Sequence, residues 1–283
     1  MSLIKTGVPY ATHNWAVVQG CNGPVNPKTG EQERCFYCYL DEMKAHYGAS
    51  MAPTFHPEHL ADPLRRKKPA VICCTFGGDL FDRAITDEQI AAVFGVPAAS
   101  PQHTFLIPTK QAARMRAWFG WLETLAPRWP GCPWDWQCSA TADAAGRASG
   151  FDGVVNLQES WPLPNVWLGA SVTCEADTHR LDDLCATPAA HRWVSYGPAI
   201  GPVDFAPWLD RIDLVIMEGM SGRHAGAFPM DLDWARSTRD ACAAAGVGFY
   251  LKQLSGRVAE KHPMLDGVRH SVLPWGHLLE GGQ

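Results

Sequence analysis

Seven short apolar runs recur along the chain, and each gives way to glycine, proline or polar residues. They are residues 13–20 (HNWAVVQG), 69–76 (PAVICCTF), 103–108 (HTFLIP), 165–172 (NVWLGASV), 191–195 (HRWVS), 214–217 (LVIM) and 249–251 (FYL). Runs of this length without polar alternation suit strands covered on both faces, as in a parallel sheet. Between them lie segments with helical character: residues 39–47, 87–96, 111–126, 176–185, 205–209 and 231–245, the last stopped by Gly246. Strands alternating with helices predict an α/β fold built on a parallel sheet with right-handed crossovers. The expected architecture is a partial or complete (β/α) barrel, with a doubly wound open sheet as the alternative. Residues 126–164 break the rhythm and carry Trp129, Trp134, Trp136 and Trp161. They read as an irregular insertion over one mouth of the fold, with strand character at 154–157. The expected domain is residues 1–256, followed by an irregular tail, 257–283, whose Trp275 packs back onto the barrel.

In such folds chemistry gathers at the carboxyl ends of the strands. That rule selects Cys21, Cys35 and Cys38; Gly77, Gly78 and Asp79; Thr109 and Lys110; Ser171; Ser195; Glu218; and Lys252 with Gln253. The three cysteines lie within residues 21–38 (CNGPVNPKTGEQERCFYC), with thirteen residues between the first two and two between the last two. Pro24 and Pro27 each fix φ and remove a donor, so the loop is not one regular helix. Three soft thiolates suit three irons of a [4Fe–4S] cluster with the fourth iron open. They suit equally a structural zinc site completed by His13 or His46. Gly77-Gly78-Asp79 fits either a ligand-approaching backbone or a plain tight turn. Ser171 and Ser195 fit ligand contacts or caps. Glu218 and Lys252 fit substrate contacts or an internal ion pair.

Composition narrows the classes. With 46% hydrophobic and 19% charged residues the chain has ample material for a core. No apolar run is long enough to span a bilayer, and the first fifteen residues lack a signal-peptide core; the chain is therefore read as cytoplasmic. The net charge of −5 gives no support for nonspecific phosphate binding. The basic run Arg65-Arg66-Lys67-Lys68 reads as a solvated helix end. Ten cysteines form no short disulfide framework. Cys132 and Cys138 flank a Trp-rich segment without a further ligand pair.

A three-cysteine loop after the first strand and a Gly-Gly-acidic turn after the second resemble the radical S-adenosylmethionine superfamily. The usual first gap there is three residues, and expanded gaps occur in some members. More of the chain is similar to a phage and bacterial radical-SAM-like family with a three-cysteine motif. The similar stretches include HNWAVVQGC, CFYCYLDEM, GGDLFD, LPNVWLGASV and GVGFYLKQLSG. The resemblance implies that Cys21, Cys35 and Cys38 ligate a [4Fe–4S] cluster whose fourth iron is chelated by S-adenosylmethionine. It implies cofactor contacts from Tyr37, Gly77, Gly78, Asp79, Ser171 and Ser195, with Glu218 and Lys252 facing the substrate. The expected partners are a small-molecule, nucleotide or DNA substrate and an external electron donor. The expected activity is formation of a 5′-deoxyadenosyl radical for isomerase, lyase or transferase chemistry, with phage nucleobase or DNA hypermodification as its setting. The alternative is a zinc-stabilised module that binds nucleic acid or protein without catalysis.

Overall fold

The computed structural model describes residues 3–38, 40, 41, 48, 50–128, 136–150 and 160–280. One sheet of eight strands organises them: β1 (Leu3–Lys5), β2 (His13–Trp15), β5 (Val71–Cys74), β6 (Thr104–Thr109), β7 (Val166–Val172), β8 (His191–Tyr196), β9 (Leu214–Glu218) and β10 (Gly248–Gln253). The intervening numbers belong to a small pair, β3 (Val18–Gln19) with β4 (Thr54–Phe55); β11 (Met264–Leu265) pairs with β12 (Val268–Arg269). β1 runs antiparallel to β2, and the remaining seven strands are mutually parallel. Spatial order equals chain order. Right-handed crossovers that always step the same way leave every helix on one face, and such a sheet curls instead of doubling back. The fold is thus a partial (β/α) barrel.

Alternation along the strands shows which side faces inward. Ile72, Cys74, Val194, Val215 and Met217 join the core shared with the helices. Their neighbours Val71, Cys73, Trp193, Leu214 and Ile216 form a second cluster on the opposite face. Tyr10, Leu273 and Trp275 plug that inner face, and the Trp275 indole N–H donates to Tyr10 O at 2.9 Å. Trp275 packs on Trp167 near the amino end of β7, with ring centres 4.8 Å apart, while Tyr10 reaches Phe76 just beyond β5 and Tyr250 within β10. Burial of each large aliphatic side chain contributes roughly 1.5–3 kcal/mol. Gly169 shapes this interior: a Cβ there would lie 2.5 Å from the Trp193 ring.

The helix Asp87–Ala98 opens with a capping box between Thr86 and Gln89. The helix Leu232–Ala245 is capped by Asp231 and stopped by Gly246 at φ +72°. The sequence expectations need several changes. Residues 13–20 form two short strands instead of one. Residues 205–209 are not a helix; a 3-10 turn, Leu209–Arg211, lies there. The stretch expected to be irregular contains a regular helix, Trp136–Ser149, packed along Asp87–Ala98. The expected helix at 39–47 lies mostly outside the described residues, as do His46, Trp129, Cys132, Trp134 and the expected strand at 154–157.

Candidate functional site

The thirteen residues between Cys21 and Cys35 fold as a small hairpin. Val25 pairs antiparallel with Gln32. Asn26 N donates to Glu31 O, Gly30 N donates to Asn26 O, and Gly30 takes φ +72°. The proline-containing insertion is therefore an ordered excursion that returns the chain toward the second cysteine. Cys38 N then donates to Cys35 O at 3.0 Å, which makes the CFYC segment a tight turn.

Two buried side chains from later elements hold this loop. Asp82 has no exposure, and its carboxylate accepts from Asn22 N (2.8 Å), Asn22 Nδ2 (3.1 Å), Gln32 Nε2 (3.3 Å) and Ala84 N (3.0 Å). Gln111, just beyond β6, donates through Nε2 to Gly23 O at 3.0 Å. Neither stood out in the sequence as a site residue. The available signals were the second acidic residue of GGDLFD and the amide following Thr109-Lys110.

The glycine turn after β5 packs directly against the start of the cysteine loop. Gly20 pairs with Gly78, and Gly20 N donates to Gly77 O at 2.8 Å. A Cβ on Gly78 would stand 2.9 Å from the carbonyl oxygens of both Gly20 and Val18. Close backbone approach alone thus requires glycine there. Thr75, immediately before, has φ +62°, a strained conformation for a β-branched residue at a strand end. Asn14 Oδ1 accepts from Phe76 N at 3.1 Å and ties the turn to β2. The Asp79 carboxylate turns inward: it accepts from Thr109 Oγ1 (2.7 Å), Phe81 N (3.0 Å) and Lys110 N (3.0 Å). Burial raises its carboxyl while these three donors oppose the rise. Asp79 therefore fastens the ends of β5 and β6 together.

Ser171 and Ser195 are register partners on β7 and β8, and so point to the same side of the sheet. Arg180 fixes that region by donating to Ser171 O at 2.9 Å and pairing with Asp177 at 2.7 Å. Glu218 and Lys252, at the ends of β9 and β10, form an ion pair. Lys252 Nζ also stands 5.8 Å from the Tyr10 ring centre. A Cβ on Gly197 would lie 2.2 Å from Glu218 Cγ, so glycine leaves room for this carboxylate. Tyr37 lies beneath Lys110, with Nζ 5.8 Å from the ring centre. Burial, then the sulfur of Cys35, holds the Tyr37 phenol above its ordinary value. Phe36 is half exposed and packs on Phe228 at 4.8 Å, which brings the CFYC turn beside the loop after β9. His13, by contrast, lines a cavity of about 640 Å³ with Lys5, Arg66 and His277 near the amino ends of the strands.

Among the described residues, the one trio of His, Cys or acidic ligand atoms within 4.8 Å of one another is His56, Glu58 and His59. Cys21, Cys35 and Cys38 offer three soft thiolate donors, which suit the irons of a cluster or a zinc ion. Burial, then Asp79, pushes the Cys21 thiol up to about 12.

The molecule is a partial (β/α) barrel carrying a three-cysteine loop over the carboxyl ends of its strands. It belongs to the family described as a protein of unknown function, DUF5131, whose model matches residues 5–281. No curated protein matches it. Among solved structures it is similar to spore photoproduct lyase complexed with dinucleoside spore photoproduct, at 11% identity and TM-score 0.43, over 84% of this chain and 63% of that one. A tyrosine-to-phenylalanine variant of spore photoproduct lyase gives 11% identity and TM-score 0.49, over 89% and 79% respectively. The chain thus spans less than two thirds of the first of these relatives. No helix among the described residues is long and apolar enough to cross a membrane.

Proposed function

We propose that this protein is a radical S-adenosylmethionine enzyme. The observation that carries the reading is the placement of the cysteine loop. Its first residue follows strands β2 and β3, it is bonded through Gly20 to the Gly77-Gly78 turn, and Asp82 and Gln111 pin it over the carboxyl mouth of the barrel. Cys21, Cys35 and Cys38 would hold a [4Fe–4S] cluster. With S-adenosylmethionine bound, such a cluster and an external electron donor supply a 5′-deoxyadenosyl radical for hydrogen abstraction.

The chain's own residues supply position and enclosure. The Gly77-Gly78 turn brings backbone close to the cysteine loop, where a cofactor amino group would be met by carbonyl oxygen; the Asp79 carboxylate, already taking three donors, holds that turn in place. Tyr37 would pack on the cofactor beside the cysteines. Ser171 and Ser195 offer hydroxyls for its ribose or carboxylate. Glu218 and Lys252 would meet the substrate, exchanging part of their mutual pairing for its polar groups. Nucleobase hypermodification, on a nucleotide or on DNA, is the setting we favour, supported by the sequence resemblance to phage proteins. A base within duplex DNA would have to be flipped out to reach the mouth.

The test is product analysis. The iron-loaded protein, given a strong reductant and S-adenosylmethionine, should release 5′-deoxyadenosine. Absence of this product from protein that retains its iron would leave no radical chemistry to assign.

A further inference from the structure

A second group of metal-binding side chains lies on the segment that backs Cys21. Met51 O accepts the Cys21 N–H at 3.1 Å; β4 follows, and the 3-10 turn Pro57–His59 ends the segment. The turn is tied at both ends. His56 N donates to Val17 O at 2.8 Å, and the Trp15 indole N–H donates to His59 O at 2.9 Å. Pro57 at the first helical position fixes φ between the two histidines. His56, Glu58 and His59 therefore present one ligand atom each within 4.8 Å of one another. His56 Nδ1 stands 3.0 Å from Glu58 Oε1, and His59 Nε2 stands 3.9 Å from the same oxygen. His59 Nδ1 lies 3.7 Å from Asp62 Oδ2, where an outer carboxylate orients a metal-bound imidazole.

We propose that His56, Glu58 and His59 bind one zinc ion, which braces the backbone supporting Cys21. Two imidazole nitrogens and one carboxylate oxygen are borderline donors suited to zinc, whereas magnesium and calcium take oxygen shells. Zinc bonds of about 2.0–2.2 Å place tetrahedral ligand atoms roughly 3.3 Å apart. The His56–Glu58 pair is already that close, and His59 needs only a small rotation. The side chains are 26%, 61% and 23% exposed, which leaves the fourth position to water. The proposal is independent of which metal the three cysteines bind.

The test is zinc retention after exhaustive dialysis of the full-length chain, compared with Glu58→Gln and His59→Gln. Each variant should retain one equivalent less than the parent, and the exposed Glu58 side chain makes the first change safe for folding. Cobalt(II) titration of the triple variant Cys21→Ala, Cys35→Ala, Cys38→Ala supplies the second readout. It should show one equivalent with d–d bands and no sulfur charge-transfer band, and at least tenfold weaker binding once Glu58→Gln is added. Equal zinc in parent and both variants would overturn the proposal, as would cobalt affinity indifferent to Glu58→Gln.

Discussion

Asp82 is fully buried, and its carboxylate collects donors from Asn22 and Gln32 on the cysteine loop. Removing a buried acceptor strands its donors, and hydrogen bonds to a charged group contribute roughly 1.5–3 kcal/mol each to such a balance. Asp82→Ala should lower stability by about 2 kcal/mol or more in urea denaturation and reduce iron incorporation in parallel. Full iron content with unchanged stability would show that the loop holds itself. His13 carries a different kind of prediction. Burial, then the charges of Arg66 and Lys5, lower its pKa to about 4, against an ordinary value of 6.5. Between these values the unfolded chain binds the extra proton, so stability should fall as pH drops from about 6.5 to 4 and be flat for this group above that window. His13→Gln should flatten that part of the urea-midpoint profile; an unchanged slope would contradict the assignment. At this scale the cysteines and the glycine turn were legible because their spacing is local. Asp82 and Gln111 were not, because their partners on the loop lie 60 and 88 residues away in sequence. Asp79 was expected to meet the cofactor; that its carboxylate would be spent on Thr109 and Lys110 was not readable from the sequence.

Among the elements, the helix Trp136–Ser149 was the hardest to read. Its buried face is made largely of small residues, Ala140, Thr141, Ala142, Ala144 and Ala145, so its apolar stripe is thin. The Trp- and Pro-rich flanks then dominated the reading. The small face has a structural reason, since it lies against the helix Asp87–Ala98 at Gly95. A Cβ on Gly95 would stand 2.1 Å from Thr141 O. Gly95→Ala should therefore destabilise the protein by about 1–3 kcal/mol through overpacking, despite alanine's better helix propensity. Thermal unfolding with far-UV circular dichroism checks this; a raised Tm would show that the two helices can part without loss. Strands β5 to β10 were legible from unbroken apolar runs, whereas the β11–β12 pair lies in a tail expected to be irregular. The first run was not, because Ala16 and Val17 are buried between two separate short strands.

For the whole molecule, the sequential strand order decides for a partial barrel over a doubly wound sheet, a choice that the alternation of strand and helix left open. How the interior would be closed was not readable from that alternation, because the plug comes from both ends of the chain. Tyr10 and Trp275 meet on the inner face, 265 residues apart. Trp275→Ala should cost about 3–5 kcal/mol, measured by urea denaturation, and a loss under 1 kcal/mol would mean that the tail merely rests on the barrel. The polar residues gathered at the carboxyl ends of the strands make that end the chemical one. At the chemical end stand Cys21, Cys35 and Cys38. Anaerobic purification with iron and sulfide analysis tests their assignment most directly. A brown protein with about four irons and four sulfides per chain is expected, with loss of both colour and iron in Cys35→Ala. A colourless protein that takes up no iron on reconstitution, or a Cys35→Ala variant that keeps the full complement, would contradict it.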